Sequence, residues 1–504
     1  MVDQSILASP PCGPLDGRRL EDGVLAFLGV PYAEPPIGDL RWRVPSAKKP
    51  WKEVRSATAT APFCPQYDID NVGLYREVPM SEDCLYLNVW TPALDGKPRP
   101  VLFYIHGGGF EAGSGALSPY SGQYLAAGHD AVVVTINYRL SIFGLPPFEP
   151  YGDDEPTNLA LLDQVAALRW VKANIAAFGG DPDRVTLFGL SAGGWSIVSL
   201  LGVPQAQGLF HGAVAQSSSA LTTLRDETRS LAQRAIFDQL KLDGADPKRL
   251  LAATTGELLE AAKAAHLSWR HTLANLGDRR RPFIPHREEA TLPKSAMERV
   301  DAPDAFKGPL LIGTTREEVG FNAFRSAVPS LRGYFRRAET ILALSQLMEP
   351  DRASSIWDNY AALRGQSEAQ IGGFIRSAFD YIMPSIRFAQ KRSALAPTWM
   401  YQFAYAPAKV AAATHASDIM FWAGTLNSPS PIAAFFLGEN GVGEDERNLS
   451  LTMQSDLVHL GRHGRLDWAR YEPVERQTKI YDIHPAVVSD PAAVERVLWD
   501  GVEF

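Results

Sequence analysis

The sequence predicts an α/β fold: a mostly parallel central sheet flanked by helices, with large helical insertions, in one domain spanning 1–504. Three observations carry this. Apolar runs at 101–105, 131–136 and 185–188 are short, β-branched and bounded by Gly or Asp, the pattern of strands buried on both faces. Between the second and third runs, Leu162, Val165, Leu168, Val171 and Ile175 recur at helical spacing within 159–178, and Gly179-Gly180 ends the pattern. Strand, helix, strand implies a right-handed crossover and parallel pairing. Finally, no repeat, low-complexity tract or Pro/Gly/Ser linker divides the chain into two cores. Further strands are expected at 212–216, 309–313, 399–405 and 479–482, so the sheet runs through most of the chain.

Composition excludes several classes of function. The chain is 45% hydrophobic and 21% charged, ordinary globular usage. Lys+Arg 49 against Asp+Glu 57 gives a net charge of −8, which argues against nucleic acid or an acidic lipid surface as partner. Residues 1–17 have neither a basic nor an apolar leader region, and no stretch approaches a membrane span, so a cytoplasmic protein without a membrane partner is expected. Three cysteines, Cys12, Cys64 and Cys84, are too few for a disulfide scaffold. No His/Cys cluster has metal-ligand spacing, so neither metal nor cofactor is expected. No feature of the sequence signals an oligomeric state.

The most informative segment is Val185-Thr-Leu-Phe-Gly-Leu-Ser-Ala-Gly-Gly194, a Gly-x-Ser-x-Gly between an expected strand and an expected helix at 195–201. A serine held on a sharp strand-to-helix turn is presented at the carboxyl edge of the sheet. The following helix adds free N–H groups and a positive dipole end, which favour developing negative charge. Ser191 is the candidate nucleophile; a bare Gly/Ser turn is the bland alternative. Upstream, His106-Gly-Gly-Gly-Phe110 directly follows the first strand. Its glycines let the backbone approach a ligand, so the N–H groups of Gly108 and Gly109, with that of Ala192, are the candidate oxyanion donors. The phosphate-loop pattern that also uses such glycines is missing, and His106 reads as a support for the turn.

At this point the chain resembles the type-B carboxylesterases and cholinesterases of the α/β-hydrolase fold. The likeness adds Phe27-Leu-Gly-Val-Pro-Tyr-Ala-Glu-Pro-Pro36, Ser81-Glu-Asp-Cys-Leu-Tyr-Leu-Asn-Val-Trp-Thr-Pro92, Asn137-Tyr-Arg139 and Phe178-Gly-Gly-Asp-Pro182 to the two motifs. In this fold the triad runs serine, acid, histidine along the chain. Order alone leaves His415 and His484 open, with His459 and His463 in a polar helical stretch. The resemblance favours His415, because Thr414-His-Ala-Ser-Asp-Ile-Met-Phe-Trp422 is similar to the family's histidine segment. It likewise places the acid at Glu318, although Val319 stands where many members have glycine and Gly320 follows, which leaves Glu317 as a one-residue slip. By the same resemblance, Arg41 with Glu82 and Arg139 with Asp163 match buried ion pairs. Cys64 and Cys84 match a disulfide that a cytoplasmic setting would leave reduced.

The implied function is a serine carboxylesterase acting on small-molecule esters through an acyl-enzyme. Alternatives are an amidase or carbamate hydrolase with the same triad, or a non-catalytic binding homologue. Phe110, Leu190, Trp195, Phe283, Phe421 and Trp422 are candidate pocket walls. Two departures point to neutral substrates rather than choline esters. Leu190 stands where cholinesterases carry a glutamate, and the 64–84 loop holds Tyr67 and Tyr75 but no tryptophan.

Overall fold

The structure is a computed structural model that describes residues 6–67, 79–152, 155–218, 226–242, 246–273, 281–320, 336–345, 348–364, 367–407, 411–428, 430–437 and 442–502. Tyr75 lies outside them. Among the described residues one sheet collects thirteen strands: β1 Ile6–Ala8, β2 Leu15–Arg19, β3 Leu25–Pro31, β4 Arg55–Ser56, β5 Tyr86–Thr91, β6 Arg99–Ile105, β7 Val132–Ile136, β8 Gly180–Leu190, β9 Gly212–Gln216, β10 Leu310–Thr315, β11 Thr398–Phe403, β12 Gln477–Tyr481 and β13 Ala486–Ser489. Its order is β1-β2-β3-β5-β7-β6-β8-β9-β10-β11-β12-β13, with β4 beside β2. From β7 through β12 every neighbouring pair is parallel. Antiparallel strands close both flanks.

The parallel centre lies where apolar runs predict it, and Gly212–Gln216 coincides with the expected strand. The antiparallel flanks are additions to the sequence reading. β2 reads Leu-Asp-Gly-Arg-Arg and β13 is exposed throughout, so neither presents the apolar run of a two-sided strand.

Alternation along the strands divides the core in two. Val101, Phe103 and Ile105 face one apolar layer; Leu102 and Tyr104 face the other. The first layer is covered by α1 (Leu159–Asn174), α2 (Ala192–Leu200) and α3 (Thr255–Leu273), which contribute Leu162, Val165, Ile197, Leu200 and Leu258. Farther along the chain, α4 (Glu368–Ser377) runs through a π-helical turn, Ala378–Ile382, into α5 (Met383–Ser393). The second layer packs on α6 (Glu444–His463) through Leu449, Met453, Leu457 and Leu460.

Two arginine–carboxylate pairs neutralise charge inside the scaffold. Arg139 grips Asp163 through two nitrogens at 2.6 and 2.8 Å, and Arg41 grips Glu82 at 2.7 and 2.8 Å. Cys12, Cys64 and Cys84 are buried free thiols, and the Leu140 amide donates to Cys64 Sγ at 3.3 Å. No helix among the described residues is long and apolar enough to cross a membrane.

Candidate active site

Everything in the site hangs from the carboxyl ends of β6, β8, β10 and β11. Ser191 joins β8 to α2 with φ 58° and ψ −121°, left-handed backbone that a non-glycine residue adopts at a cost of about 1–3 kcal/mol. Its own amide donates to the Gln216 carbonyl at 2.9 Å, and its carbonyl accepts from Trp195 N–H at 2.8 Å. The turn is this sharp because Gly189 and Gly193 both abut the Ile105 carbonyl, where any Cβ would collide.

After β6 the chain turns through three consecutive left-handed residues, Gly108 (φ 115°), Gly109 (φ 65°) and Phe110 (φ 62°). The Gly108 carbonyl accepts from the amides of Glu111 and Ala112, closing the turn. Among the described residues, the amides of Gly108, Gly109 and Ala192 donate to no protein group. Three N–H groups thus stay uncommitted beside Ser191, since a Cβ on Gly107 would stand 3.1 Å from the serine Cβ. His106 braces the turn from inside. Its Nδ1 lies 2.8 Å from the Gly107 carbonyl and its ring stacks on Tyr138 at 4.4 Å. Burial pulls its pKa down to about 4, so the ring is neutral. Gln66 locks the far end, accepting from the Gly113 amide at 2.8 Å and donating back to the Gly113 carbonyl at 3.1 Å.

The loop after β10 brings Glu318, not Glu317, to His415. Glu318 is fully buried, with Oε2 at 2.6 Å from His415 Nδ1 and Oε1 accepting from the Thr315 amide at 2.8 Å. The His415 amide also donates to the Glu318 carbonyl at 3.0 Å, so backbone and side chain fix the same pair. Glu317 is half-buried and faces Arg316 at 3.6 Å. The Val319 amide donates to Ser377 Oγ at 2.8 Å, while Thr414 fills the space beside Gly320. Asp418, also buried, accepts from Trp422 Nε1 at 3.2 Å and Tyr401 OH at 3.3 Å. Burial, and then the charge of Glu318, push its pKa up to about 6. His484 is exposed, His463 is exposed, and His459 pairs with Asp467 at 3.2 Å.

The candidate walls separate. Trp195 is half-buried and meets Phe110 edge-on at 5.8 Å, with Phe110 and Leu190 buried beneath the turns. Phe283, Phe421 and Trp422 are, like Phe110 and Leu190, buried, the last two of the three packed among Tyr401, Phe403 and Tyr481. A run of aromatics after such a histidine reads equally as wall or core. Tyr381, which the sequence reading missed, lies in the π-helical turn with its ring 5.0 Å from that of His415. Such turns recur at functional sites but leave no readable period in the sequence.

A serine on a strained elbow, a histidine on a buried carboxylate and three uncommitted amides are the parts that acyl transfer requires. Comparison with known proteins agrees. The model of the carboxylesterase family matches residues 4–458. The para-nitrobenzyl esterase of Bacillus subtilis is 36% identical over 94% of this chain and 95% of its own length. Acylcarnitine hydrolase of Mus musculus is 32% identical over 92% and 84%. A carboxylesterase of Geobacillus stearothermophilus superposes with a TM-score of 0.85 at 32% identity, covering 98% of this chain and all of its own. With α/β-hydrolase architecture throughout, the chain belongs to the carboxylesterase family and is a carboxylic-ester hydrolase of the serine type.

Proposed function

We propose that Ser191 is the nucleophile, His415 its general base and then general acid, and Glu318 the group that orients His415 and stabilises its protonated form. The amides of Gly108, Gly109 and Ala192 hold the oxyanion. Ser191 Oγ attacks the ester carbonyl as its proton passes to His415. The tetrahedral intermediate collapses as His415 protonates the departing alcohol, and water then hydrolyses the acyl-enzyme by the same route. The whole of 1–504 acts as one domain. It works in the cytoplasm with no nucleic-acid partner, in keeping with its net charge of −8 and with too few cysteines for a disulfide scaffold.

The observation that carries this reading is the uncommitted state of three amides around a serine at φ 58°. The Ala192 amide is buried and those of Gly108 and Gly109 are half-buried, so donors left without a protein partner here are placed to meet a ligand's oxygen. Ser191→Ala is expected to lower ester turnover by about 10³–10⁶-fold and leave the melting temperature nearly unchanged. Retained turnover in a preparation that no longer takes up a serine-directed phosphonate would remove Ser191 from this role.

The substrates are neutral esters with short acyl or aromatic parts. Leu190 offers no anionic contact, and the described part of the 64–84 loop supplies Tyr67 but no tryptophan face. Each missing contact is worth about 2 kcal/mol in a desolvated site, so selectivity for choline falls by well over a hundredfold. The measurement is kcat/KM for butyrylcholine against 3,3-dimethylbutyl butyrate. Preference for the choline ester would overturn the neutral-substrate reading.

A further inference from the structure

The space that a side chain on Gly109 would occupy is taken by the guanidinium of Arg281. Its Cζ stands 3.2 Å from the point where a Cβ would lie, and Nη1 stands nearer still. Gly109 is one of the amides assigned to the oxyanion, so this cation packs against the oxyanion turn. Arg281 is half-buried and keeps some exposure.

Its counter-charge lies inward. Glu111, the second residue after Gly109, is fully buried; it accepts from the Tyr67 hydroxyl and lies 2.8 Å from His266 Nδ1 on α3. Burial alone would raise its carboxyl, but His266 and Arg281 outweigh that and hold it below the usual carboxylate range. The cluster therefore has a polarity: its carboxylate is sealed, and its guanidinium is the part that a bound molecule reaches. An apolar ester pocket rejects a carboxylate because nothing replaces its water. A guanidinium does replace it, with paired N–H donors that match two carboxylate oxygens.

The alcohol part of an ester must leave toward His415, which protonates it, and Tyr381 borders that side. Arg281 stands with the oxyanion turn instead, which leaves the acyl chain as the part that extends to it. We infer that Arg281, backed by Glu111, His266 and Tyr67, forms an anion subsite beside the oxyanion turn, and that the enzyme hydrolyses esters whose acyl part ends in a carboxylate, such as monoesters of short dicarboxylic acids. This rests on Ser191 acting as proposed and extends the substrate range from neutral to anionic esters, away from cations.

The test compares kcat/KM for monoethyl succinate and for its uncharged isostere, ethyl 4-methylpentanoate, by ethanol release. The wild type should take both. Arg281→Gln should lower the succinate-to-pentanoate ratio by roughly 10- to 100-fold, the range of a charged hydrogen bond. Arg281→Lys, which keeps the charge and most of the packing but not the paired donors, should fall between. Equal losses on both esters would mean that Arg281 only supports the turn, and would overturn the proposal. So would a wild type that hydrolyses the neutral ester and rejects the succinate. Failure of the Ser191 reading looks different: both esters would then survive Ser191→Ala.

Discussion

Asp163 and Glu318 are both wholly shielded from solvent, and each meets a basic side chain at 2.6 Å: Asp163 with Arg139, and Glu318 with His415. Their surroundings differ in what they permit. Asp163 takes both arms of a guanidinium and a backbone amide, three hydrogen bonds from a residue that is a permanent cation. Glu318 takes one amide and one imidazole, a partner that can gain or lose a proton near neutrality. The first arrangement holds a fold; the second can hold a charge that comes and goes within a reaction cycle. Burial by itself distinguishes neither, and the partner's chemistry distinguishes both.

The largest effect expected from this contrast is at Glu318. Glu318→Gln should lower kcat by about 10³–10⁴-fold, because an amide cannot stabilise protonated His415, whereas Glu317→Gln should change it by less than about threefold. Reversed severity would shift the acid by one residue and break the comparison. Arg139→Ala should act on stability, costing about 3–5 kcal/mol in urea unfolding as Asp163 is left buried without its cation, with kcat of the folded fraction maintained. A variant that kept its stability and lost kcat would place Arg139 with the site.

Asp418 sharpens the contrast, being another buried carboxylate, whose hydrogen-bond donors among the described residues are both neutral: a tyrosine hydroxyl and an indole N–H face it, and Oδ1 takes no hydrogen bond there. Its folded pKa of about 6 lies above the ordinary 3.8, so the folded state binds the proton more tightly. Its contribution to stability is greatest below the unfolded value and is lost as pH rises through about 6. Asp418→Asn should therefore stabilise the protein at pH 8 by about 1–3 kcal/mol and by much less at pH 5. Urea midpoints at the two pH values check this; an equal gain at both would mean that Asp418 does not titrate in the folded state. The smallest shift concerns rate. Removing the Asp418 charge near His415 should move the acid limb of kcat/KM to lower pH by less than about one unit.

The sequence makes the parallel centre legible because strands buried on both faces must be apolar without interruption. β2 and β13, charged or exposed, had no such constraint to betray them. Ser191 and the glycine turn are legible because the backbone there tolerates few residue types. Glu318 over Glu317 came from resemblance, since two adjacent glutamates look alike until one is buried. Arg281 follows Arg279-Arg280 in the chain, and an arginine run reads as solvated surface; only its approach to Gly109 gives it another meaning.

The order of the sheet has a consequence for biosynthesis. Ser191 and its turn belong to β8, but His415 follows β11 and lies 97 residues beyond the glutamate it pairs with. At roughly 5–20 residues per second, a ribosome finishes Glu318 about 5–20 s before it reaches His415. Throughout that interval the nascent chain carries the elbow without the proposed base, and the edge of β10 waits for a strand that has not been made. With His415 in its proposed role, hydrolytic power arrives in a single late step, and a chain interrupted before it is, through that open edge, prone to pair with another.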